Sequence, residues 1–330
     1  MTRLAIVGGG AWGTALALAA SRAGSAPVLW ARDPDIVAAV NRRRENPVYL
    51  PGIALDSAVT ATGDLEAALA GAEAAVVAVP AQFVRALLPP LAAAGRPLLL
   101  CAKGIETASL KTMSELAAEL APGLPVAVLS GPSFAAEVAR GLPTAVTIAG
   151  RDAALASRFA AALGSARFRP YLSGDPIGAE IGGAVKNVVA IACGIVEGRG
   201  LGDNARAALV TRGLAEMVRL GLAKGAEAAT FAGLSGLGDL VLTCTGAGSR
   251  NHALGVALGR GESLAAALGR RRSVVEGVAT AAAVRRLAAS LDVEMPIAAA
   301  VDGVLHRGVA IDRAIEALLS RPTRPEKDPL

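Results

Sequence analysis

Lysine is scarce in this chain, and one lysine stands in a strongly apolar stretch. Lysine supplies five of the 33 basic residues, and arginine supplies the rest. Lys186 lies within residues 182–191 among Gly, Ala, Val and Ile, with Asn187 as the other polar residue there. Burial lowers the pKa of an ammonium group, so a buried lysine can exchange a proton near neutral pH. Lys186 is therefore the candidate for proton transfer, and a surface lysine on an amphipathic helix is the alternative.

Two further segments place polar residues directly after strand-like runs. Lys103 follows the apolar residues 97–101, and the Ser-Gly-Pro-Ser segment at 130–133 follows residues 125–129. The carboxyl ends of parallel strands form the edge at which open α/β sheets bind ligands. Backbone amides that open a helix attract anions. We therefore expect both segments to contact a ligand, with ordinary strand–helix turns as the alternative.

Residues 249–251, Ser-Arg-Asn, offer a hydroxyl, a guanidinium and an amide within one short segment. A guanidinium binds phosphate through paired, charge-assisted hydrogen bonds. The segment is thus suited to a phosphate group. The alternative is a polar helix start with Ser249 as the N-cap, which is compatible with ligand binding.

A glycine cluster occupies residues 8–13 and fits the G-x-G-x-x-G pattern through Gly8, Gly10 and Gly13. The pattern directly follows an apolar strand and precedes a helix, which is the context that a dinucleotide-binding turn requires. The glycines allow a tight turn and let the backbone approach a pyrophosphate at the helix N-terminal amides. The sequence therefore predicts a dinucleotide site, and a glycine-rich turn without a ligand is the alternative.

The end of the second predicted strand bears on the choice of cofactor. Asp33 lies 20 residues beyond Gly13, where an acidic residue that binds the ribose favours NAD. Arg32 is adjacent and would instead bind the extra phosphate of NADP. Asp33 precedes Pro34, a pair typical of a helix N-cap and the first helical residue. Because that use of Asp33 leaves Arg32 for the cofactor, we expect a preference for NADP, with NAD as the alternative.

Composition excludes several classes of protein. The 330 residues are 53% hydrophobic and 18% charged, which is incompatible with intrinsic disorder. Three cysteines without a C-x-x-C pair and two histidines indicate neither a disulfide framework nor a metal site. The net charge of +5 suits a small anionic ligand, and the dispersed basic residues with only 3% aromatics predict no nucleic-acid partner.

Hydropathy and the N-terminus bear on localisation. No uninterrupted apolar run approaches the roughly 20 residues of a spanning helix. Residues 1–7 lack the layout of a signal peptide. We therefore expect a cytoplasmic protein without a membrane span.

Short apolar runs alternate with helical patterns in the first half of the chain, which is typical of a doubly wound parallel sheet. Strands are predicted at residues 4–7, 27–30, 74–79, 97–101, 125–129 and 144–149, and helices at 12–22 and 83–94. Beyond residue 175 the strand signals nearly vanish, and helices are predicted at 177–196, 205–224, 279–289 and 297–306. We therefore predict an α/β fold: a Rossmann domain in residues 1–175, an all-α domain in 176–320, and a flexible tail in 321–330.

Together these segments resemble the bacterial NAD(P)-dependent glycerol-3-phosphate dehydrogenases. Residues 183–190, continued by Glu197-Gly198 and by residues 202–204, are similar to the family's signature around its catalytic lysine. Residues 237–240 with 249–251, and residues 274–277, are further matches. The resemblance extends in order through nearly the whole chain and fails only in the tail. It implies a second domain like that of the 6-phosphogluconate dehydrogenases.

The resemblance also implies a role for each matched residue. Lys186 would transfer the proton. The substrate would be bound by Lys103, Gly131, Ser133, Lys186, Asp239, Ser249, Arg250 and Asn251. The cofactor would be bordered by Gly8, Gly10, Ala11, Trp12, Gly13, Arg32, Lys103, Ala135, Arg250, Val274 and Glu276. Relatives often carry a hydroxyl residue where this chain has Ala11, so this chain offers only its backbone amide at that position.

The implied reaction is the reversible NAD(P)-dependent reduction of dihydroxyacetone phosphate to sn-glycerol 3-phosphate, which supplies the backbone of glycerophospholipids. The implied assembly is often a homodimer. Two alternatives stay open: a related two-domain dehydrogenase of a hydroxy acid or a sugar phosphate, and a non-catalytic regulator that binds NADPH. A carboxylate substrate would not need the Ser-Arg-Asn segment, and a regulator would need no lysine in an apolar helix.

Overall fold

Two units make up the chain in the computed structural model, which describes residues 2–270 and 273–322. The first consists of the described residues up to Ala102 together with Met113–Pro176. The second consists of Lys103–Thr112 and the described residues from Ile177 onward. The domain bounds predicted from the sequence stay predictions. Most of the predicted tail, residues 323–330, lies outside the described residues.

The first unit alternates strands and helices around one large sheet, as predicted. Its strands are β1 (Arg3–Val7), β2 (Ala26–Trp30), β3 (Glu45–Asn46), β4 (Leu50–Ala54), β5 (Thr60–Thr62), β6 (Ala74–Val77), β7 (Leu98–Leu100), β8 (Val126–Ser130), β9 (Thr144–Ala149) and β10 (Phe168–Ser173). Its α-helices are α1 (Ala11–Arg22), α2 (Pro34–Ala38), α3 (Leu65–Leu69), α4 (Val84–Ala94), α5 (Met113–Leu120), α6 (Ala135–Ala139) and α7 (Ala153–Leu163). A π-helix (Ala39–Arg43) follows α2, and a 3₁₀ turn (Ala81–Phe83) precedes α4.

The strand order of the large sheet is β10-β9-β8-β7-β6-β1-β2-β5, and β3 pairs with β4 in a separate hairpin. Neighbouring strands of the large sheet are parallel except β8 and β9, which pair antiparallel. The doubly wound α/β class is confirmed, but the expectation of a wholly parallel sheet is wrong at this pair. The connecting helix α6 has five residues and rises only about 7.5 Å, whereas a five-residue strand spans about 17 Å. The chain therefore enters β9 from the edge at which it left β8.

The central strands are buried on both faces, because helices cover each face of the sheet. Alternate residues of β1 belong to different apolar clusters: Leu4 and Ile6 to one, and Ala5 and Val7 to the other. This two-sided burial explains the continuous apolar runs in the sequence. The strands that were not predicted, β3, β4, β5 and β10, are short or lie at an edge and carry polar residues or prolines.

The second unit is built from helices among its described residues, as predicted. They are α8 (Pro176–Gly198), α9 (Gly202–Ala223), α10 (Ala228–Ala232), α11 (Asp239–Thr245), α12 (Arg250–Gly259), α13 (Leu264–Gly269), α14 (Glu276–Ser290), α15 (Pro296–His306) and α16 (Ile311–Leu319). A π-helix (Leu234–Gly238) leads directly into α11.

Helix α8 lies in the core of the second unit. By length and composition it could cross a membrane, but the apolar window that meets this test is wholly buried inside the protein. Its glycines allow close contact with α12, since a Cβ on Gly194 would lie 2.1 Å from the carbonyl oxygen of His252. The apolar character of α8 is thus accounted for by burial among other helices.

A buried carboxylate completes the N-terminus of α15. That helix begins with Pro296 and has no side-chain cap of its own. Glu216 of α9 accepts hydrogen bonds from the backbone amides of Ile297 (2.6 Å) and Ala298 (3.1 Å). Burial raises the pKa of the Glu216 carboxyl to about 7, although the two amides oppose that shift. Glu216 therefore satisfies amides that the first turn of a helix leaves without partners.

Candidate active site and dinucleotide turn

Lys186 lies near the middle of α8 and is 6% exposed. Its ammonium group contacts a carboxylate oxygen of Asp239 and donates to Oγ1 of Thr243 at 2.9 Å. Asp239 is the first residue of α11, and Thr243 follows one helical turn later. The prediction that Lys186 is buried is therefore correct, and the structure adds the partners that make its burial tolerable.

Asp239 links two lysines. Its other carboxylate oxygen accepts a hydrogen bond from Nζ of Lys103 at 2.8 Å, and Asp239 itself is 1% exposed. Burial lowers the pKa of Lys186 to about 8, although Asp239 opposes that shift. Burial alone would raise the pKa of Asp239, but the two ammonium groups hold it below its usual value. The cluster of Lys103, Lys186 and Asp239 therefore contains one carboxylate and a lysine able to change protonation near neutral pH.

Thr243 fixes the geometry of this cluster. Its hydroxyl donates to the backbone carbonyl oxygen of Asp239 at 2.6 Å. The Thr243 Oγ1 atom in turn accepts the hydrogen bond from Nζ of Lys186. A hydroxyl has one proton to donate, so these two contacts define its orientation. Thr243 was not among the site residues predicted from the sequence. Its position four residues after Asp239 was the available signal, because residues so spaced lie on one face of a helix.

Two asparagine side chains connect the Lys103 segment to α12 and α14. Asn187 donates to the carbonyl oxygen of Lys103 at 3.0 Å and accepts from Nδ2 of Asn251 at 2.8 Å. Oδ1 of Asn251 accepts from the backbone amide of Gly277 at 3.0 Å. Asn251 was predicted to bind substrate, and the structure shows its carboxamide engaged at both ends.

The other residues of the 249–251 segment have different environments. Ser249 is the N-cap of α12, and its hydroxyl accepts from the amide of His252. Arg250 is exposed and donates to the carbonyl oxygen of Val274 at 2.9 Å. Val274 is 45% exposed, and Glu276 begins α14. Of this segment, Arg250 presents its charge at the surface of the second unit.

In the first unit, the glycine turn joins β1 to α1. Gly8 has φ +128°, a region that favours glycine. A Cβ on Gly13 would lie 1.8 Å from the carbonyl oxygen of Gly8, whereas a Cβ on Gly10 would meet no described atom within 4 Å. Ala11 opens α1, and the next residue, Trp12, has a buried indole N–H without a hydrogen-bond partner among the described residues.

The residues at the end of β2 divide as the sequence suggested. Asp33 is the N-cap of α2, and its carboxylate accepts from the amide of Asp35 at 2.9 Å, with Pro34 as the first helical residue. Arg32 is exposed. Asp33 therefore has a structural use, whereas Arg32 remains available for a ligand.

The 130–135 segment follows β8 in the first unit. Gly131 has φ +117°, and the Ser133 hydroxyl donates to the Gly131 carbonyl at 2.9 Å. Ala135 begins α6. The buried Ser130 hydroxyl has no partner in the part of the chain that the structure describes.

Two sequence models of one protein family together match most of the chain. One, NAD-dependent glycerol-3-phosphate dehydrogenase N-terminus, matches residues 3–156, and the corresponding C-terminus matches residues 175–316. The chain belongs to the NAD-dependent glycerol-3-phosphate dehydrogenase family. The predicted family, the oxidoreductase class and the dependence on a nicotinamide dinucleotide are thereby confirmed.

Individual glycerol-3-phosphate dehydrogenases are similar over their full length. The enzyme of Rhodospirillum rubrum is 58% identical over 98% of this chain and 93% of the relative. The enzyme of Caulobacter vibrioides is 56% identical over 98% of each chain. The crystal structure of the Coxiella burnetii enzyme superposes with a TM-score of 0.93 at 38% identity, covering 97% of this chain and 99% of that one.

The turn fits the dinucleotide that this dehydrogenase family uses. The amides at the start of α1 attract a pyrophosphate, and the space beside Gly10 leaves room for one. The indole N–H of Trp12 is a further donor without a protein partner among the described residues. Residues Gly8, Gly10, Ala11, Trp12, Gly13 and Arg32 therefore form a coherent candidate site within the first unit.

Proposed function

We propose that this chain catalyses the reversible NAD(P)-dependent reduction of dihydroxyacetone phosphate to sn-glycerol 3-phosphate. The observation that carries the proposal is the contact of the buried Lys186 with Asp239, in a chain of this family. A lysine whose pKa is lowered to about 8 by burial suits proton exchange with a carbonyl or hydroxyl oxygen.

Lys186 has a defined role in each direction. When bound, the reduced nicotinamide supplies a hydride to the carbonyl carbon. In reduction, the Lys186 ammonium donates a hydrogen bond to the carbonyl oxygen and then transfers its proton there. In oxidation, the neutral amine takes the proton of the substrate hydroxyl. Asp239 and Thr243 engage two N–H donors of the ammonium, and an ammonium has three.

The neighbouring charges stabilise the reacting oxygen. With Lys103 and Lys186 protonated and Asp239 ionised, the cluster carries one net positive charge. This positive charge stabilises the negative charge that develops on the carbonyl oxygen of the substrate, because electrostatic interactions between buried groups are weakly screened. Lys103 is therefore proposed as a second donor to the substrate, and Asp239 as the residue that holds both lysines in place.

Arg250 is proposed as the main contact of the substrate phosphate. Its guanidinium is exposed, whereas Ser249 caps α12 and Asn251 is bound to Asn187 and Gly277. A guanidinium can bind a phosphate group through paired, charge-assisted hydrogen bonds. Contacts from Gly131, Ser133, Ser249 and Asn251 to the substrate belong to the same proposal.

NADP is proposed as the preferred cofactor, because Asp33 is used as a helix cap and Arg32 is exposed. The pyrophosphate would bind the amides of the turn at residues 8–13. Further contacts with the cofactor are proposed for Trp12, Lys103, Ala135, Arg250, Val274 and Glu276. If Arg32 binds the extra phosphate, Arg32→Ala weakens NADPH binding roughly ten- to a hundredfold and leaves NADH nearly unchanged.

The proposed reaction implies a cellular role. sn-Glycerol 3-phosphate is the backbone of glycerophospholipids, so we assign the chain to their synthesis in the cytoplasm. A homodimer is the proposed assembly, and the mass in solution by light scattering tests it.

The deciding experiment measures oxidation of NADPH by the purified protein with dihydroxyacetone phosphate, repeated with NADH. We expect turnover with both cofactors and tighter binding of NADPH. Unphosphorylated dihydroxyacetone and a 3-hydroxy acid serve as matched substrates. Turnover of the hydroxy acid alone would establish the related dehydrogenase instead, and NADPH binding without any turnover would establish a regulator.

A further inference from the structure

Asn46 is a fully buried polar residue that none of the roles above uses. It lies in β3, is 0% exposed, and belongs to the first unit, as does the glycine turn. Its Nδ2 donates to the carbonyl oxygen of Gly9 at 3.0 Å and to Oγ1 of Thr14 at 2.8 Å. A carboxamide nitrogen has two N–H groups, so both are engaged. Asn46 therefore ties the glycine turn to the first turn of α1.

The opposite end of the Asn46 side chain is also fixed. Its Oδ1 accepts a hydrogen bond from the backbone amide of Tyr49 at 3.3 Å. This contact closes the short connection between β3 and β4. The position of the carboxamide is thus set by the hairpin, and the carboxamide in turn sets the position of the Gly9 carbonyl.

The hydrogen bond to Gly9 determines where the next amide points. The described peptide bonds are trans, and in a trans peptide the carbonyl and the following N–H point to opposite sides. Because the Gly9 carbonyl is directed at Asn46, the N–H of Gly10 is directed away from it. A Cβ on Gly10 would have no described neighbour within 4 Å. The Gly10 residue therefore borders open space.

Without such a restraint, the orientation of the Gly9–Gly10 peptide would be poorly determined. Glycine populates a wide range of φ and ψ, and two consecutive glycines allow the peptide between them to rotate. A ligand that needs the Gly10 N–H would then have to order the turn as it binds, which lowers affinity. A buried donor on the Gly9 carbonyl removes that disorder in advance.

We propose that Asn46 is a positioning residue for dinucleotide binding, whose carboxamide holds the Gly9–Gly10 peptide in the orientation that presents the Gly10 N–H to the pyrophosphate. The inference rests on the proposed use of a nicotinamide dinucleotide. It concerns the diphosphate part of the ligand and makes no demand on the adenosine part. Asn46 acts through the turn, so it is distinct from the residues that touch the cofactor.

The test compares two ligands in binary complexes, without turnover. The dissociation constants of NADPH and of adenosine 2′-monophosphate are measured for the wild type and for Asn46→Asp. This substitution keeps the shape and the acceptor for Tyr49, but it removes both donors. We expect the dissociation constant of NADPH to rise about tenfold and that of adenosine 2′-monophosphate, which has no pyrophosphate, to change less than twofold.

Asn41 provides a matched control. Its carboxamide also bonds to backbone groups, accepting from and donating to Ala61 at 2.8 Å each, but it makes no contact with the glycine turn that the structure records. Asn41→Asp should leave the ratio of the two dissociation constants unchanged, whatever its effect on the melting temperature. Asn46→Ser is measured in the same way, because a serine hydroxyl replaces one donor at most and adds no charge that would repel the pyrophosphate. The same selective loss of NADPH affinity is expected for both Asn46 variants.

The outcomes separate the two proposals. Equal losses for both ligands in the Asn46 variants would mean a general structural role and would overturn the inference, as would no loss for NADPH. A wild-type protein that binds neither NADPH nor NADH would refute the proposed cofactor use itself.

Discussion

The glycine turn of the first unit and the Lys186 cluster of the second are built in opposite ways. The turn is contiguous in sequence, and backbone atoms shape it: a Cβ on Gly13 would lie 1.8 Å from a carbonyl oxygen. The cluster is formed by side chains from three distant segments, in which Lys186 meets Asp239 53 residues later. Steric exclusion therefore limits which residues the turn can contain, whereas charge balance limits which residues the cluster can contain.

This difference predicts how each region responds to substitution. The turn should be sensitive to an added atom and insensitive to pH, because backbone amides do not titrate. The cluster should be sensitive to a lost charge and to pH, because its lysine has a pKa lowered to about 8. Three experiments test that contrast, and a fourth, at Arg250, tests the phosphate contact in the second unit.

Lys186→Met is expected to have the largest effect. Methionine keeps the apolar stem and removes the amine, so turnover should fall at least about a hundredfold, the usual contribution of a general acid–base group. NADPH binding should be nearly normal, because the turn does not depend on the amine. Lys186→Arg should also lose turnover, because a guanidinium does not release a proton near neutral pH.

Steady-state kinetics and an NADPH titration make this measurement, with Lys224→Met at the end of α9 as the control. A Lys186→Met protein that retains more than a tenth of wild-type turnover would contradict the assignment of Lys186 as the proton-transfer residue.

Arg250→Ala tests the phosphate contact. Loss of a charged hydrogen bond worth about 1.5–3 kcal/mol should raise the KM for dihydroxyacetone phosphate roughly ten- to a hundredfold. The KM for unphosphorylated dihydroxyacetone should change much less. Arg260 at the opposite end of α12 provides the matched control through Arg260→Ala. Equal losses on both substrates would show that Arg250 does not bind the phosphate.

Gly13→Ala and Gly10→Ala test steric exclusion in the turn. The first places a methyl group against the Gly8 carbonyl and should destabilise the fold by about 1–3 kcal/mol. The second meets no described neighbour, so it should keep the wild-type melting temperature but weaken NADPH binding by filling the space beside the turn. Thermal unfolding and NADPH titration of both variants provide the comparison. Identical melting temperatures for the two variants would contradict the proposed packing.

The pH dependence should be confined to the cluster. Reduction requires protonated Lys186, so its rate at saturating substrate should fall as pH rises through about 8. Oxidation requires the neutral amine, so its rate should rise over the same pH range. The rate of reduction well above the pKa, and the rate of oxidation well below it, should each change about tenfold per pH unit. Asp239→Asn removes the charge that raises the pKa of Lys186. The fall in the rate of reduction with rising pH should therefore begin at a lower pH in this variant. NADPH affinity between pH 7 and 9 is the internal control, and parallel profiles for both directions would exclude Lys186 as the titrating group.

Much of the fold was predictable because burial leaves a periodic record. The runs that became β1, β6 and β8 are apolar on both faces of the sheet. The runs that became α8, of 23 residues, and α15, of 11 residues, are apolar helices. The strands β3 and β5 were not predicted because two and three residues carry no periodic signal, and β10 was not predicted because this edge strand contains an arginine and a proline. The antiparallel β8–β9 pair depended on the length of α6, which the sequence pattern does not delimit.

The sequence by itself determined which residues have unusual requirements. Gly8 and Gly13 in their strand–helix context indicated a dinucleotide turn, and a lysine among Ala, Val and Ile indicated a buried ammonium. Asp33 before Pro34 indicated a helix cap, which the structure contains. Each of these follows from local chemistry, namely backbone freedom, desolvation and capping.

Only the tertiary structure decided which residues meet those requirements. No local sequence pattern indicates that Asp239 balances the charge of Lys186 and that Thr243 accepts its hydrogen bond. The same is true of the contact of Asn46 with the Gly9 carbonyl and of Glu216 with the first amides of α15. Hydrogen bonds and ion pairs act over about 3 Å and depend on direction. Their partners are therefore set by how helices and strands pack, whereas the need for a partner is already present in the sequence.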